Sequence, residues 1–121
     1  MRNTQRKGDI ATSQALATFT KLGFDVSIPL TESAPYDLII DTGKSLKRMQ
    51  VKYSTQKHVD LRNIHSNSTG YRVKKSNHGD YDWLYIYKDN NEYLYKNCFV
   101  NRRSVTPNDE HLIKYQIEPR L

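Results

Sequence analysis

Apolar residues recur at helical spacing early in the chain. Ala11, Ala15, Phe19 and Leu22, widened by Leu16, predict a helix from about Gly8 to Leu22 with one buried stripe. Gly23 closes it at the usual place for a left-handed residue. The period then drops to two. Phe24, Val26 and Ile28 alternate in FDVSIP and predict a first strand with those three side chains inward; residues 30–34 read as a loop. Next, PYDLIIDTGKSLKRMQVKYS (residues 35–54) predicts a hairpin. Its first strand runs from Tyr36 to Asp41, and Asp41-Thr42-Gly43-Lys44 supplies turn chemistry. In its second strand, Lys47 to Tyr53, Met49, Val51 and Tyr53 face one way while Arg48, Gln50 and Lys52 face the other. After Ser54 the apolar signal fades, and residues 55–79 read as a mobile basic loop region with at most a short strand near Tyr71–Val73. Tyr81 to Tyr87 predicts a strong strand, Asp89-Asn90-Asn91 its turn, and Glu92 to Val100 an antiparallel return. Asn101-Arg102-Arg103 is a basic link, and Leu112 to Ile117 reads as a last strand stopped by Pro119. With residues 1–7 as a flexible basic lead-in, residues 1–121 form one domain of the α+β class, a mixed β-sheet with an N-terminal helix packed on one face.

Composition narrows the partners. Hydrophobic residues make up 36% of the 121, enough for a single modest core. Nineteen Lys and Arg against thirteen Asp and Glu leave a net charge of +6, a balance that favours a polyanion. A lone cysteine, Cys98, excludes an internal disulfide and fits a reducing cytosol. No stretch approaches the roughly 20 apolar residues of a membrane span, so the expected location is intracellular and cytoplasmic, with no membrane partner. Nine tyrosines, several among basic residues after position 71, suit half-buried strand positions, and a minority suit contact with bases. Lys7, Lys57, Arg62, Arg72, Lys74 and Lys75 are candidates for phosphate contacts.

The hairpin is where chemistry gathers. A carboxylate at Asp37, an amide at Gln50, the Val51 carbonyl between Gln50 and Lys52, and the Lys52 ammonium can converge at one spot. Hard oxygen donors of this kind suit a Mg²⁺ ion, and a nearby ammonium suits a phosphate or an attacking water. A solvated strand face explains the same residues, so spacing alone leaves both readings open. Asp9 shares a flank of the helix with Thr12 and Ser13; there it is also an ordinary first-turn acid facing the helix dipole. His58, His65, His78 and His111 lack ligand spacing, and there is neither a zinc signature, a G-x-S-x-G elbow nor a glycine-rich phosphate loop. Asp80 and Asp82 read as turn and strand-start residues.

In order, K-G-D-I-A, L-G-F at the helix end, V-S-I-P, A-P-Y-D-L-I-I-D and Q-V-K resemble the PD-(D/E)xK nuclease superfamily. They are most similar to small group I intron homing endonucleases with a Q-x-K third motif, and more distantly to Holliday junction resolvases. The likeness covers Lys7 to Ser54 and continues loosely into Tyr81-Asp82-Trp83-Leu84. It implies a restriction-endonuclease-like core that hydrolyses DNA phosphodiesters with Mg²⁺, or Mn²⁺ in its place, usually as a homodimer. It makes Asp37 the central metal-binding aspartate and Lys52 the catalytic lysine, and puts Gln50 where an acid usually stands. Thr12 occupies the position of the usual helix glutamate, a departure that leaves Asp9, one turn earlier, as a substitute ligand beside Asp37 and the Val51 carbonyl. Two other readings stand beside the enzyme: a DNA-binding or regulatory module on the same fold with weakened or lost cleavage, and a protein-binding domain whose basic face only solubilises it.

Overall fold

The computed structural model describes residues 3–67, 70–77 and 79–120, with side chains for 5–62, 75–77 and 79–120. Helix α1 spans Asn3–Lys21. Ala11, Ala15 and Phe19, spaced four apart, are fully buried, as the apolar period requires. The helix begins earlier than its apolar stripe, so residues 3–7, expected in a flexible lead-in, form its first turn and more. Its end is a Schellman motif. Gly23 takes φ 92°, its N–H donates to the Thr20 carbonyl, and the Phe24 N–H donates to the Phe19 carbonyl.

Five strands form the main sheet: β1 (Asp25–Ser27), β2 (Leu38–Asp41), β3 (Leu46–Ser54), β7 (Trp83–Lys88) and β8 (Asn91–Tyr95), adjacent in that order. All neighbours are antiparallel except β3 and β7, which run parallel with Val51 beside Tyr85. The sheet is therefore mixed, as expected. Strand β1 is shorter than its alternation suggests, and Ile28 is 65% exposed rather than inward. The β7–β8 hairpin closes on Asp89 and Asn90, both at positive φ; a two-residue turn of this hand matches strand twist, and Asp and Asn tolerate it.

The residues between β3 and β7 depart furthest from expectation. They hold β4 (Val59–Asp60) and a hairpin of β5 (Asn63–Asn67) with β6 (Gly70–Lys74). β4 pairs with β9 (Ser104–Val105), and Val59 and Leu61 are buried. A region read as basic loop thus carries a second layer of core. The expected last strand is also corrected. Asp109–His111 form a 3₁₀ turn capped by Asn108, and Ile113–Gln116 form helix α2. A short alternating run fits either element, and here Ile113, at the helix start, is buried in the core while Ile117, the extended residue that caps the helix, packs against it.

Both faces of the sheet are covered. On one, α1 packs over Leu38, Ile40, Met49, Val51, Trp83 and Tyr85. On the other, Val59, Leu61, Phe99 and Val105 pack over Leu84 and Ile86. This explains why Trp83-Leu84-Tyr85-Ile86 is a continuous buried run. The buried Tyr85 hydroxyl donates to Glu92 Oε2 (2.7 Å), which also accepts from the Thr18 hydroxyl (2.6 Å), so the polar group is satisfied. No helix among the described residues is long and apolar enough to cross a membrane.

The chain's end straps the β2–β3 turn. Arg120 donates to the Asp41 carbonyl (3.2 Å) and lies over the Phe24 ring. Gly43 sits beneath it at φ 85°, where an added Cβ would lie 2.7 Å from Arg120 Nη2. Gly43→Ala is expected to destabilise the fold by about 1–2 kcal/mol, through strain at positive φ and displacement of Arg120. Urea unfolding checks this; an unchanged midpoint would mean that the turn relaxes without cost.

Candidate active site

The site forms where β2 and β3 part. Their regular register ends with Leu38 opposite Met49. One residue earlier, the Asp37 N–H donates to the same Met49 carbonyl (2.9 Å), the two-against-one step of a β-bulge. The bulge ends the ladder and aims the Asp37 side chain into the fork. There Asp37 Oδ2 accepts from the Val51 N–H (2.8 Å) and from Gln50 Nε2 (3.2 Å). The carboxylate thus takes over a backbone donor that β2 has left behind. Because the N–H and carbonyl of a strand residue leave on the same edge, the Val51 carbonyl also points into the fork.

Gln50 and Lys52 lie on the face opposite α1, in register with Leu84 and Ile86. Burial pushes the Lys52 ammonium below the ordinary lysine range, against the pull of the Asp37 and Asp60 carboxylates. Burial likewise pushes Asp37 above the ordinary aspartate range, opposed by the Val51 N–H and the Lys52 charge. The two charged groups sit in a half-dry place that favours neither charge, as is typical of reactive sites.

On the α1 side, Asp37 opens onto a groove of about 470 Å³ lined also by Asp9, Thr12, Ser13, Tyr36 and Glu32. Asp37 therefore stands between the strand residues and the helix flank, and Asp9 and Thr12 both border it. Of the expected basic contacts, Lys57 and Lys75 are exposed and Lys7 reaches the Tyr53 ring at 5.9 Å. Arg62 is paired with Asp60 at 2.8 Å. The side chains of Arg72 and Lys74 lie outside the described residues. Two neighbours of the site escaped the sequence reading. Glu32 sits in a loop without pattern. Asp60 was hidden in the supposed basic loop, although Val59-Asp60-Leu61 does alternate, with both flanking residues buried.

No group of three His, Cys, Asp or Glu among the described residues is arranged to hold a metal. The groups that converge are the Asp37 carboxylate and the Val51 carbonyl, with Gln50 turning its amide nitrogen to Asp37. The two oxygens, with the Gln50 side-chain oxygen once its amide turns, are hard donors that fit a divalent cation retaining several waters or phosphate oxygens.

A family model of PD-(D/E)XK endonucleases matches residues 2–114. Among solved structures, that of a bacterial homing endonuclease, I-Ssp6803I, is similar with a TM-score of 0.73 and 27% identity, over 98% of this chain and 86% of that one. No curated protein matches the chain. With nearly its whole length matched by the family model, and the fold in agreement, the chain belongs to the PD-(D/E)XK endonuclease family.

Proposed function

We propose that this chain is a metal-dependent endonuclease that hydrolyses phosphodiester bonds in duplex DNA. The observation that carries this reading is the Asp37 carboxylate, seated in the fork between β2 and β3 with the Val51 amide and Gln50 on one oxygen and the partly buried Lys52 beside it. The likeness to a homing endonuclease favours a specific duplex site over a branched junction. Asp37, Gln50 and the Val51 carbonyl are the residues that would hold Mg²⁺ or Mn²⁺, with Asp9 as a further carboxylate across the groove. Bound there, the cation supplies positive charge to the phosphate and lowers the pKa of water. Lys52 contacts the scissile phosphate and, because burial eases loss of its proton, can accept one from the attacking water. Asp37 keeps the Lys52 charge oriented, and Gln50 holds Asp37 in place until its amide turns. One site per chain cuts one strand at a time, so a homodimer is the smallest assembly that sets a site on each strand of a duplex at once.

Thr12 supports a second reading, a DNA-binding module with weakened or lost cleavage, since the groove has no helix carboxylate at that position. Labelled duplex, supercoiled plasmid and a four-way junction, each with Mg²⁺, Mn²⁺ or EDTA, separate the two. Metal-dependent nicking that Asp37→Ala lowers by about a thousandfold or more, with binding in EDTA intact, is the expected result. Binding without nicking in any metal would establish the second reading.

A further inference from the structure

Strands β4 and β9 bring distant parts of the chain together. Val59 lies opposite Val105 and Asp60 opposite Ser104. The pairing extends beyond the strands at both ends: the Leu61 N–H donates to the Arg103 carbonyl (2.9 Å), and His58 Nδ1 meets Thr106 Oγ1. Val59, Leu61 and Val105 point into the core. Alternation therefore turns Asp60 and Arg62 outward on one strand, with Ser104 and Arg102 outward on the other. Continued by two residues, the register sets Arg62 opposite Arg102.

Like charges opposite one another on a ribbon are unfavourable unless something neutralises them. Asp60 does so for Arg62 through Nε (3.0 Å) and Nη2 (2.8 Å), which leaves the far edge of that guanidinium available. Arg102 is exposed; it lies over the Phe99 ring (5.0 Å) and donates to the Ser104 carbonyl (3.1 Å), so its fork is held in place but its charge is not cancelled. Arg103 is exposed and makes no side-chain hydrogen bond or ion pair among the described residues. Two guanidiniums, Arg62 and Arg102, thus face outward with one carboxylate between them, and exposed Arg103 stands at the ribbon's end on the alternate position. Fixed planar forks of this kind suit phosphate oxygens better than flexible lysines do. The ribbon also borders the candidate site: β4 packs against β3, and Asp60 lies within electrostatic reach of Lys52.

We propose that the outward face of the β4–β9 ribbon, with Arg62 and Arg102 as its cations and exposed Arg103 at its end, is a landing surface for the DNA backbone that leads one strand to Lys52. This rests on the nuclease reading, and it adds Arg102 and Arg103, which the sequence offered only as a basic link. Asp60 keeps Arg62 oriented and stands between the ribbon and the lysine.

The test is binding of a labelled mixed-sequence duplex in EDTA over a series of salt concentrations. Arg102→Gln/Arg103→Gln is compared with Lys21→Ala/Lys44→Ala, which removes the same charge at the opposite end of β3. Arg103→Glu alone, at an exposed position without partners, guards against misfolding of the double variant. Loss of two phosphate contacts is expected to lower the slope of log K against log salt by about two and to weaken binding about tenfold near physiological salt. The Lys21/Lys44 control should lose far less, and Arg103→Glu should weaken binding at least as much as loss of one contact. Equal losses in the arginine and lysine pairs, or wild-type slopes in both arginine variants, would overturn the landing surface while leaving the nuclease reading standing. A wild-type protein that binds no DNA at any salt would overturn both.

Discussion

Lys52→Met will abolish cleavage and at the same time make the protein more stable. Burial depresses the Lys52 pKa even with the Asp37 and Asp60 carboxylates pulling the other way. In its ammonium form, Lys52 therefore costs the folded state more in desolvation than its partners return. The sign follows from proton linkage. Between the depressed folded pKa and the ordinary lysine value, the unfolded chain binds more protons than the folded one, so stability rises with pH across that window. Below it, the cost is present in full. Asp37 behaves in the mirror sense, because burial raises its pKa: stability falls as pH rises from the ordinary aspartate value through the folded one. Methionine fills the space of the lysine stem without the charge, so Lys52→Met is expected to gain about 1 kcal/mol at pH values below the folded Lys52 pKa. The gain should shrink as pH climbs through the folded Lys52 pKa, where wild type loses its own penalty. Thermal unfolding over a pH series, beside a cleavage assay, measures both halves. A less stable variant would mean that the ammonium is a net structural asset, and retained cleavage would remove Lys52 from the chemistry.

The parts of the fold that the sequence makes legible are those whose pattern is long and regular. The four-residue spacing of Ala11, Ala15 and Phe19 and the alternation from Lys47 to Tyr53 both exceed one repeat, and the helix and β3 follow them closely. The site was visible for a related reason: Asp37, Gln50 and Lys52 lie on the two arms of one hairpin, so local spacing nearly fixes their relative positions. What stayed hidden depends on distant pairings. Val59 and Leu61 are only two apolar residues amid polar ones, and their partners lie far along the chain, Val105 across the ribbon and Leu84, Ile86 and Phe99 in the core. Leu112 to Ile117 is too short for its period to decide between strand and helix, and the chain takes one helical turn there with Ile113 buried. The bulge that aims Asp37 into the fork has no sequence mark beyond the preceding Pro35-Tyr36.

Thr12→Glu is expected to strengthen metal binding and lower the metal concentration that cleavage requires. Thr12 borders the groove that Asp37 opens onto, with Asp9 one turn earlier on the same helix flank. A glutamate there adds a second anionic oxygen donor opposite Asp37, and one carboxylate more should shift the Mn²⁺ titration midpoint for nicking about tenfold lower. Without metal the same change gathers a further negative charge beside Asp9, Glu32 and Asp37, so the variant's Tm in EDTA should fall below that of wild type. Added Mn²⁺ should restore it and carry it higher, by the mass action of a ligand that binds only the folded state. This second readout needs no catalysis. Asp9→Asn completes the cycle. If Asp9 now serves in place of the helix glutamate, its loss should raise the metal requirement in wild type and matter little in the Thr12→Glu background, an interaction between the two positions that independent sites would not show. Additive effects would mean that Asp9 acts elsewhere. A metal midpoint and Tm that ignore Thr12→Glu altogether would mean that the cation is held on the strand side alone, by Asp37, Gln50 and the Val51 carbonyl, with DNA phosphate completing its shell.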